Sequence, residues 1–308
     1  MADPLIVARA IQFASSITAA GAALFPVAVA VEQLRAHSEV LAPIQRQLDW
    51  IVLIGLALAV ASGGLWLLLF ASKLEAATQD ADNTFWLVLT GTQFGRVSVM
   101  RFVIAGLLAL LVALRYVKRP LSTSSWLIAL LGIAFVISLA WCGHSGAGIG
   151  LSGDFQVGVD AVHLVTAAVW VGGLLPLLIF IRPSVAMSAL ERYELVRRFS
   201  WLATWAVALL IASGLVNTWY MTDGMRHLFG TEYGSLVLAK VGLLVIMLGF
   251  ASVNRFWLTP RLPTSREEKA AQLLCVSTTA EIALAFTVIC VVAVLGQMEP
   301  AGHVHTMM

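Results

Sequence analysis

Residues 141–176 read WCGHSGAGIGLSGDFQVGVDAVHLVTAAVWVGGLLP. An apolar helix runs into Cys142 and His144, a Gly-rich turn follows, and a second apolar helix carries Asp160 and His163 near its start. Those two residues are three apart, so they share one helix face. Ionisable side chains inside a hydrophobic span are expensive, which makes each a candidate functional group by default. The competing reading is a structural Asp–His pair that hydrogen-bonds between helices.

The pattern of apolar helix, polar turn and apolar helix extends over the whole chain. Of 308 residues, 60% are hydrophobic and only 12% charged, and the mean hydropathy is +0.90. A soluble domain of this size could not hide so much apolar surface. Each apolar run is long enough to cross a bilayer, which takes about 20 helical residues. The chain therefore reads as all-α and polytopic, with eight spans at roughly 5–32, 47–70, 96–117, 124–143, 155–181, 196–220, 234–257 and 270–296. No basic cluster suggests nucleic acid, and the net charge of +2 says little about partners. Cys275 and Cys290 fall in one span and Cys142 stands alone, so no disulfide framework is expected. The first run lacks a basic leader segment and a clear small-residue cleavage site, so it is expected to stay as a helix.

Cations set the expected orientation. Arg35, Arg46, Arg115, Lys118, Arg119, Arg182, Arg192, Arg197, Arg198, Arg255, Arg261, Arg266 and Lys269 lie at one set of span ends; Arg9, Lys73, Arg96, Arg101, Arg226 and Lys240 lie at the other. The positive-inside rule then places both termini outside the cytoplasm. His144, His163, His227, His303 and His305 fall at or near the outer face, and only His37 is cytoplasmic. Met221, Met225, Met298, Met307 and Met308 join them. Imidazole and thioether are copper ligands, and thioether favours Cu(I). Against this, polar loops collect His anyway and most Met side chains fill gaps.

The chain also carries an internal repeat. RQLDW at 46–50 resembles RRFSW at 197–201; at the same offset of 151, Ala61-Ser62-Gly63 matches Ala212-Ser213-Gly214, and Gly21 matches Gly172. With a shorter offset TQFG at 92–95 matches TEYG at 231–234, each followed by a cation, Arg101 or Lys240. The expected architecture is two tandem four-helix halves, 1–143 and 144–308, in the same orientation about a pseudo-twofold axis along the membrane normal. In this alignment His163 corresponds to Gln12 and Asp160 to Arg9, so the first half lacks the Asp–His pair.

The second half resembles the copper-resistance D family (CopD/PcoD) of bacterial inner-membrane proteins. The resemblance rests on GHSGAG at 143–148, Asp160, His163, WVGGLLP at 170–176, RRFSWLATWAVALLIASGLVNTW at 197–219, TEYGSLVLAKVGLL at 231–244, NRFWLTPRL at 254–262, Glu281 and the Leu-Gly-then-Pro ending at 295–300. It implies copper handling, as Cu+ or Cu2+, at the cytoplasmic membrane, with transport from periplasm to cytoplasm. It also implies a periplasmic carrier of the CopC type as a partner, here expected to be a separate protein.

The candidate metal ligands are therefore His163, His144 and Asp160, with His303 and His305 in the tail; Met307, Met308, Cys142, Asn217 and Glu281 follow. Glu281 lies too deep to snorkel and must be neutral, paired or beside a wet cavity. Lys240 is read as snorkelling to the outer interface, and Ser213, Gly172, Gly173 and Gly214 as small residues for close packing. Two other classes stay open: a haem- or quinone-binding membrane oxidoreductase, and a non-transporting protein that docks a copper carrier. For haem, two axial His at matched depths on different helices are missing. No nucleophile–base constellation and no nucleotide loop is present, so an enzyme is not expected.

Overall fold

A computed structural model describes residues 3–37, 39–78, 84–118, 122–142, 151–221 and 231–298. The helices are α1 (Pro4–Ala28), α2 (Val31–Ala36), α3 (Ala42–Thr78), α4 (Thr84–Trp86), α5 (Gln93–Lys118), α6 (Ser122–Ile137), α7 (Leu151–Ile181), α8 (Ala189–Met221), α9 (Glu232–Val253) and α10 (Glu267–Leu295). Wide π turns follow α4 at Leu87–Gly91 and α9 at Asn254–Leu258, and a 3-10 turn ends α6 at Ser138–Cys142. Eight helices are long and apolar enough to span a membrane: α1, α3 and α5 to α10. Among the described residues there is no strand.

Most helices overrun the expected boundaries at polar ends. α3 starts at Ala42 rather than near 47, because Gln45 and Arg46 prolong the helix beyond its apolar stretch. α7 starts at Leu151, with Asp154 in its first turn, where a carboxylate favours the positive end of the helix dipole. Thr92 and Thr231 cap α5 and α9 in the same way, each hydroxyl accepting from a backbone N–H three residues on at 3.0 Å.

α1 is the most buried span and α9 the least. α1 packs on α3, α6, α7 and α10, so it touches both parts of the chain. Its closest approach is to α7. A Cβ placed on Gly21 would lie 2.2 Å from the backbone of Gly172, and one on Gly172 would lie 2.2 Å from the Ile17 carbonyl oxygen. Only glycine at both positions lets these backbones meet, the small-residue packing that membrane helices favour. The largest core cluster groups Phe25, Trp170, Leu174 and Phe180 with Leu195 and Phe199; Phe25 and Phe180 stack at 5.6 Å. The outer surfaces of α8, α9 and α10 are apolar and open, with Trp205, Leu215, Val245 and Val276 each more than half exposed, as suits lipid contact.

Buried charges are matched by hydrogen bonds. Arg101 is 3% exposed and donates to the Phe135 carbonyl, Ser138 Oγ and Ser16 Oγ, with its guanidinium over the Phe135 ring. Arg115 pairs with Asp49 between α5 and α3, and Arg192 with Glu267 between α8 and α10. Beyond the spans, Glu32 pairs with Arg198, whose guanidinium holds this carboxyl below the usual range. Near the start of α1, Arg9 lies over the Trp66 ring and donates to the Gly296 carbonyl at the end of α10. The beginning of the first span and the end of the last therefore share one face of the bundle.

Candidate metal site

α7 and α8 run side by side and meet through two polar pairs one turn apart. Asn217 Nδ2 donates to Asp160 Oδ1 at 2.7 Å, and His163 Nδ1 lies 3.0 Å from Ser213 Oγ. The i, i+3 spacing on α7 and the i, i+4 spacing on α8 put all four groups on facing stripes. Ser213 Oγ also lies 2.7 Å from the Leu209 carbonyl and 3.2 Å from that of Leu210. With the hydroxyl proton on a carbonyl, Nδ1 donates to Oγ and the ring's lone pair is on Nε2. Gly214 gives the ring its room: a Cβ there would lie 3.4 Å from His163 Cε1. Asn217 Oδ1 is buried without a hydrogen-bond partner. Lys240 of α9 is close enough to act electrostatically on both His163 and Asp160, so it belongs to this cluster rather than to the interface.

His163 sits about 18 Å along α7 at 1.5 Å per residue, not the roughly 12 Å expected from a start near 155. The pair is therefore close to the middle of a 31-residue helix. Ser213, read from sequence as a packing residue, is the partner that orients the histidine; its occurrence in the repeated Ala-Ser-Gly was the available signal.

Matching positions at the offset of 151 make matching contacts. Ser62 Oγ is 2.7 Å from Gln12 Oε1, as Ser213 is paired with His163. A Cβ on Gly63 would meet Gln12, as one on Gly214 would meet His163. Arg9 lies over Trp66, the counterpart of Asp160 on Asn217. The contacts correspond while the chemistry differs: amide and guanidinium in one place, imidazole and carboxylate in the other.

The other candidates lie elsewhere. Cys142 packs with Leu5, Ala8 and Trp66, near Arg9 and Arg101. Glu281 accepts from Asn254 Nδ2 at 2.6 Å and lines a separate cavity. His144, His303, His305, Met307 and Met308 lie outside the described residues. Among the described residues no three His, Cys, Asp or Glu side chains converge as a metal-holding group. The three cysteines are free.

Two family models match separate parts of the chain. The family described as copper resistance protein D matches residues 193–295, and its N-terminal domain, "copper resistance protein D-like", matches residues 1–154. Residues 155–192, with Asp160 and His163, lie between the two matches. The chain is 30% identical over 255 residues to the inner membrane protein YebZ of Escherichia coli, covering 82% of each. It is 28% identical over 312 residues to copper resistance protein D of Pseudomonas syringae pv. tomato, covering 97% of this chain and 98% of that one. It is 31% identical over 172 residues to the copper transport protein CutJ of Bacillus subtilis, covering 53% of this chain and 30% of that one. No solved structure matches.

Proposed function

Because the chain belongs to the copper resistance protein D family, we propose that it is a multi-pass inner-membrane protein that binds copper on the α7–α8 face and carries it from periplasm to cytoplasm. The observation that carries this reading is the oriented histidine. Ser213 holds Nδ1–H and thereby presents Nε2, a lone-pair nitrogen deep in the span. Asp160 supplies negative charge one turn nearer the start of α7, and the buried, unpartnered Asn217 Oδ1 supplies a further acceptor. A cation arriving there exchanges hydration for protein ligands, and the carboxylate offsets its charge in a weakly polarisable setting. Lys240 lies within electrostatic reach of Asp160 at the same place.

In this reading both termini face the periplasm, and the two halves are related by a pseudo-twofold axis through the Gly21–Gly172 crossing. The matched contacts of Gln12–Ser62 and His163–Ser213 support that relation. His144 and the tail residues His303, His305, Met307 and Met308 collect copper at the outer face, delivered by a carrier of the CopC type. The CutJ relative is named as a copper transport protein, in keeping with transport rather than catalysis.

The test is copper binding by purified protein together with radiocopper uptake into proteoliposomes. His163→Ala should abolish both, Ser213→Ala should weaken affinity by about 10–100-fold through loss of ring orientation, and Gln12→Ala should do less than either. A folded His163→Ala protein that binds and moves copper like wild type refutes the site. A haem-type absorption spectrum from the purified protein would instead favour an oxidoreductase.

A further inference from the structure

A second polar centre lies toward the opposite end of the same four helices. Along α7 it is level with Trp170 to Ile181, and along α8 with Val196 to Val207, whereas the His163–Ser213 pair lies beyond both. Here α7, α8, α9 and α10 line a half-open cavity of about 350 Å³. Its wall is mostly apolar, but Glu281, Thr278 and Asn254 face into it.

Three features of this trio are unusual. Glu281 is 2% exposed, and it accepts a hydrogen bond from the Asn254 amide rather than pairing with a cation. Thr278 is fully buried and its Oγ1 makes no hydrogen bond. Threonines of the same helix do otherwise: Thr279 and Thr287 donate to the carbonyl four residues back, at 2.8 and 3.0 Å. Asn254 Oδ1 is also buried without a partner, because the amide turns its nitrogen toward the carboxylate. Asn254 opens the π turn of residues 254–258, the kind of local widening that recurs at functional sites. Arg255 lines the cavity too, but its guanidinium is committed to Ser200 and Thr204 of α8.

A buried carboxylate, a buried hydroxyl and a buried amide oxygen, all with unused lone pairs, lack a positive partner. The set is oxygen only. It suits a hard cation and offers none of the sulfur or imidazole that copper selects. One carboxylate balances one positive charge, which in a low-dielectric span disfavours a divalent ion.

We propose that Glu281, Thr278 and Asn254 form a binding site for a small, hard monovalent cation of the sodium class, distinct from the His163 site. Glu281 supplies the charge, and the Thr278 hydroxyl and Asn254 carbonyl oxygen complete the shell with water from the cavity. The proposal does not depend on the copper reading.

The experiment uses full-length protein in nanodiscs, prepared in choline chloride, with 22Na+ as the probe in a scintillation proximity assay. Wild type is expected to show saturable binding that unlabelled sodium displaces. Glu281→Gln and the near-isosteric Thr278→Val should each weaken it by at least about tenfold, while His163→Ala should bind sodium like wild type. Thr278→Val keeps the test decisive should Glu281→Gln not fold. Absence of saturable binding by monodisperse wild type would overturn the proposal, leaving water as the occupant. So would unchanged binding in both variants, or displacement by Ag+ at far lower concentration than by sodium, which would make this a copper station.

Discussion

The glycine contact between α1 and α7 sets a sharp expectation for Gly172→Ala. The added Cβ would lie 2.2 Å from the Ile17 carbonyl oxygen and 3.1 Å from Gly21 Cα. An ordinary carbon–oxygen contact is about 3.3 Å, so the helices must part by roughly 1 Å at their crossing. The obstructing atoms are backbone and cannot rotate away. Overpacking of this kind costs about 1–3 kcal/mol, and a rigid obstacle places this site at the upper end. The methyl gains little in return, since burying a CH2-sized group is worth about 0.8 kcal/mol even from water, and less from lipid. We expect a net loss of about 2 kcal/mol. Thermal unfolding in detergent, followed by tryptophan fluorescence, should show a melt several degrees lower; Trp170, two residues away and 2% exposed, is a suitable reporter. Gly249→Ala is the control, because nothing lies within 4 Å of its Cβ position and alanine is the better helix former. If Gly172→Ala melts together with Gly249→Ala, the close crossing is wrong, and with it the proposed point on the pseudo-twofold axis.

Asp49 and Arg115 bury their paired side chains to 4% and 6% exposure. Asp49→Leu alone should therefore destabilise by about 3–5 kcal/mol, while Asp49→Leu with Arg115→Met should recover most of that loss; a double variant no better than the single would show that the two are not coupled. For orientation, reporter fusions at Thr123 and Pro263 should read cytoplasmic and one at Gly150 periplasmic, and a periplasmic signal at Thr123 would reverse the bundle in the membrane.

The eight spans were legible from apolar run length alone, because lipid demands that each crossing satisfy its own backbone. Their polar ends were not: Gln45, Arg46 and Asp154 belong to helices by hydrogen-bond and dipole terms that hydropathy does not register. Asp160 and His163 stood out in the sequence because a charged or titratable group in an apolar run is costly wherever it sits. Their partners stood out less: Asn217 ranked among the later candidate ligands and Ser213 read only as a packing residue. Serine and asparagine are common in membrane helices, and only the packing of α8 on α7 turned one into the histidine's hydrogen-bond partner and the other into a carboxylate's donor. Lys240 was the reverse case, a conspicuous cation whose place was decided by α9 lying near the same pair. Likewise Glu281 was visible as a buried acid, whereas Asn254 and Thr278 became its neighbours only through a π turn and a helix face. The periodicity of one helix follows from its own residues, but which faces meet depends on how closely two backbones can approach. Here that was decided at Gly21 and Gly172, where the absence of two side chains brings the central helices together.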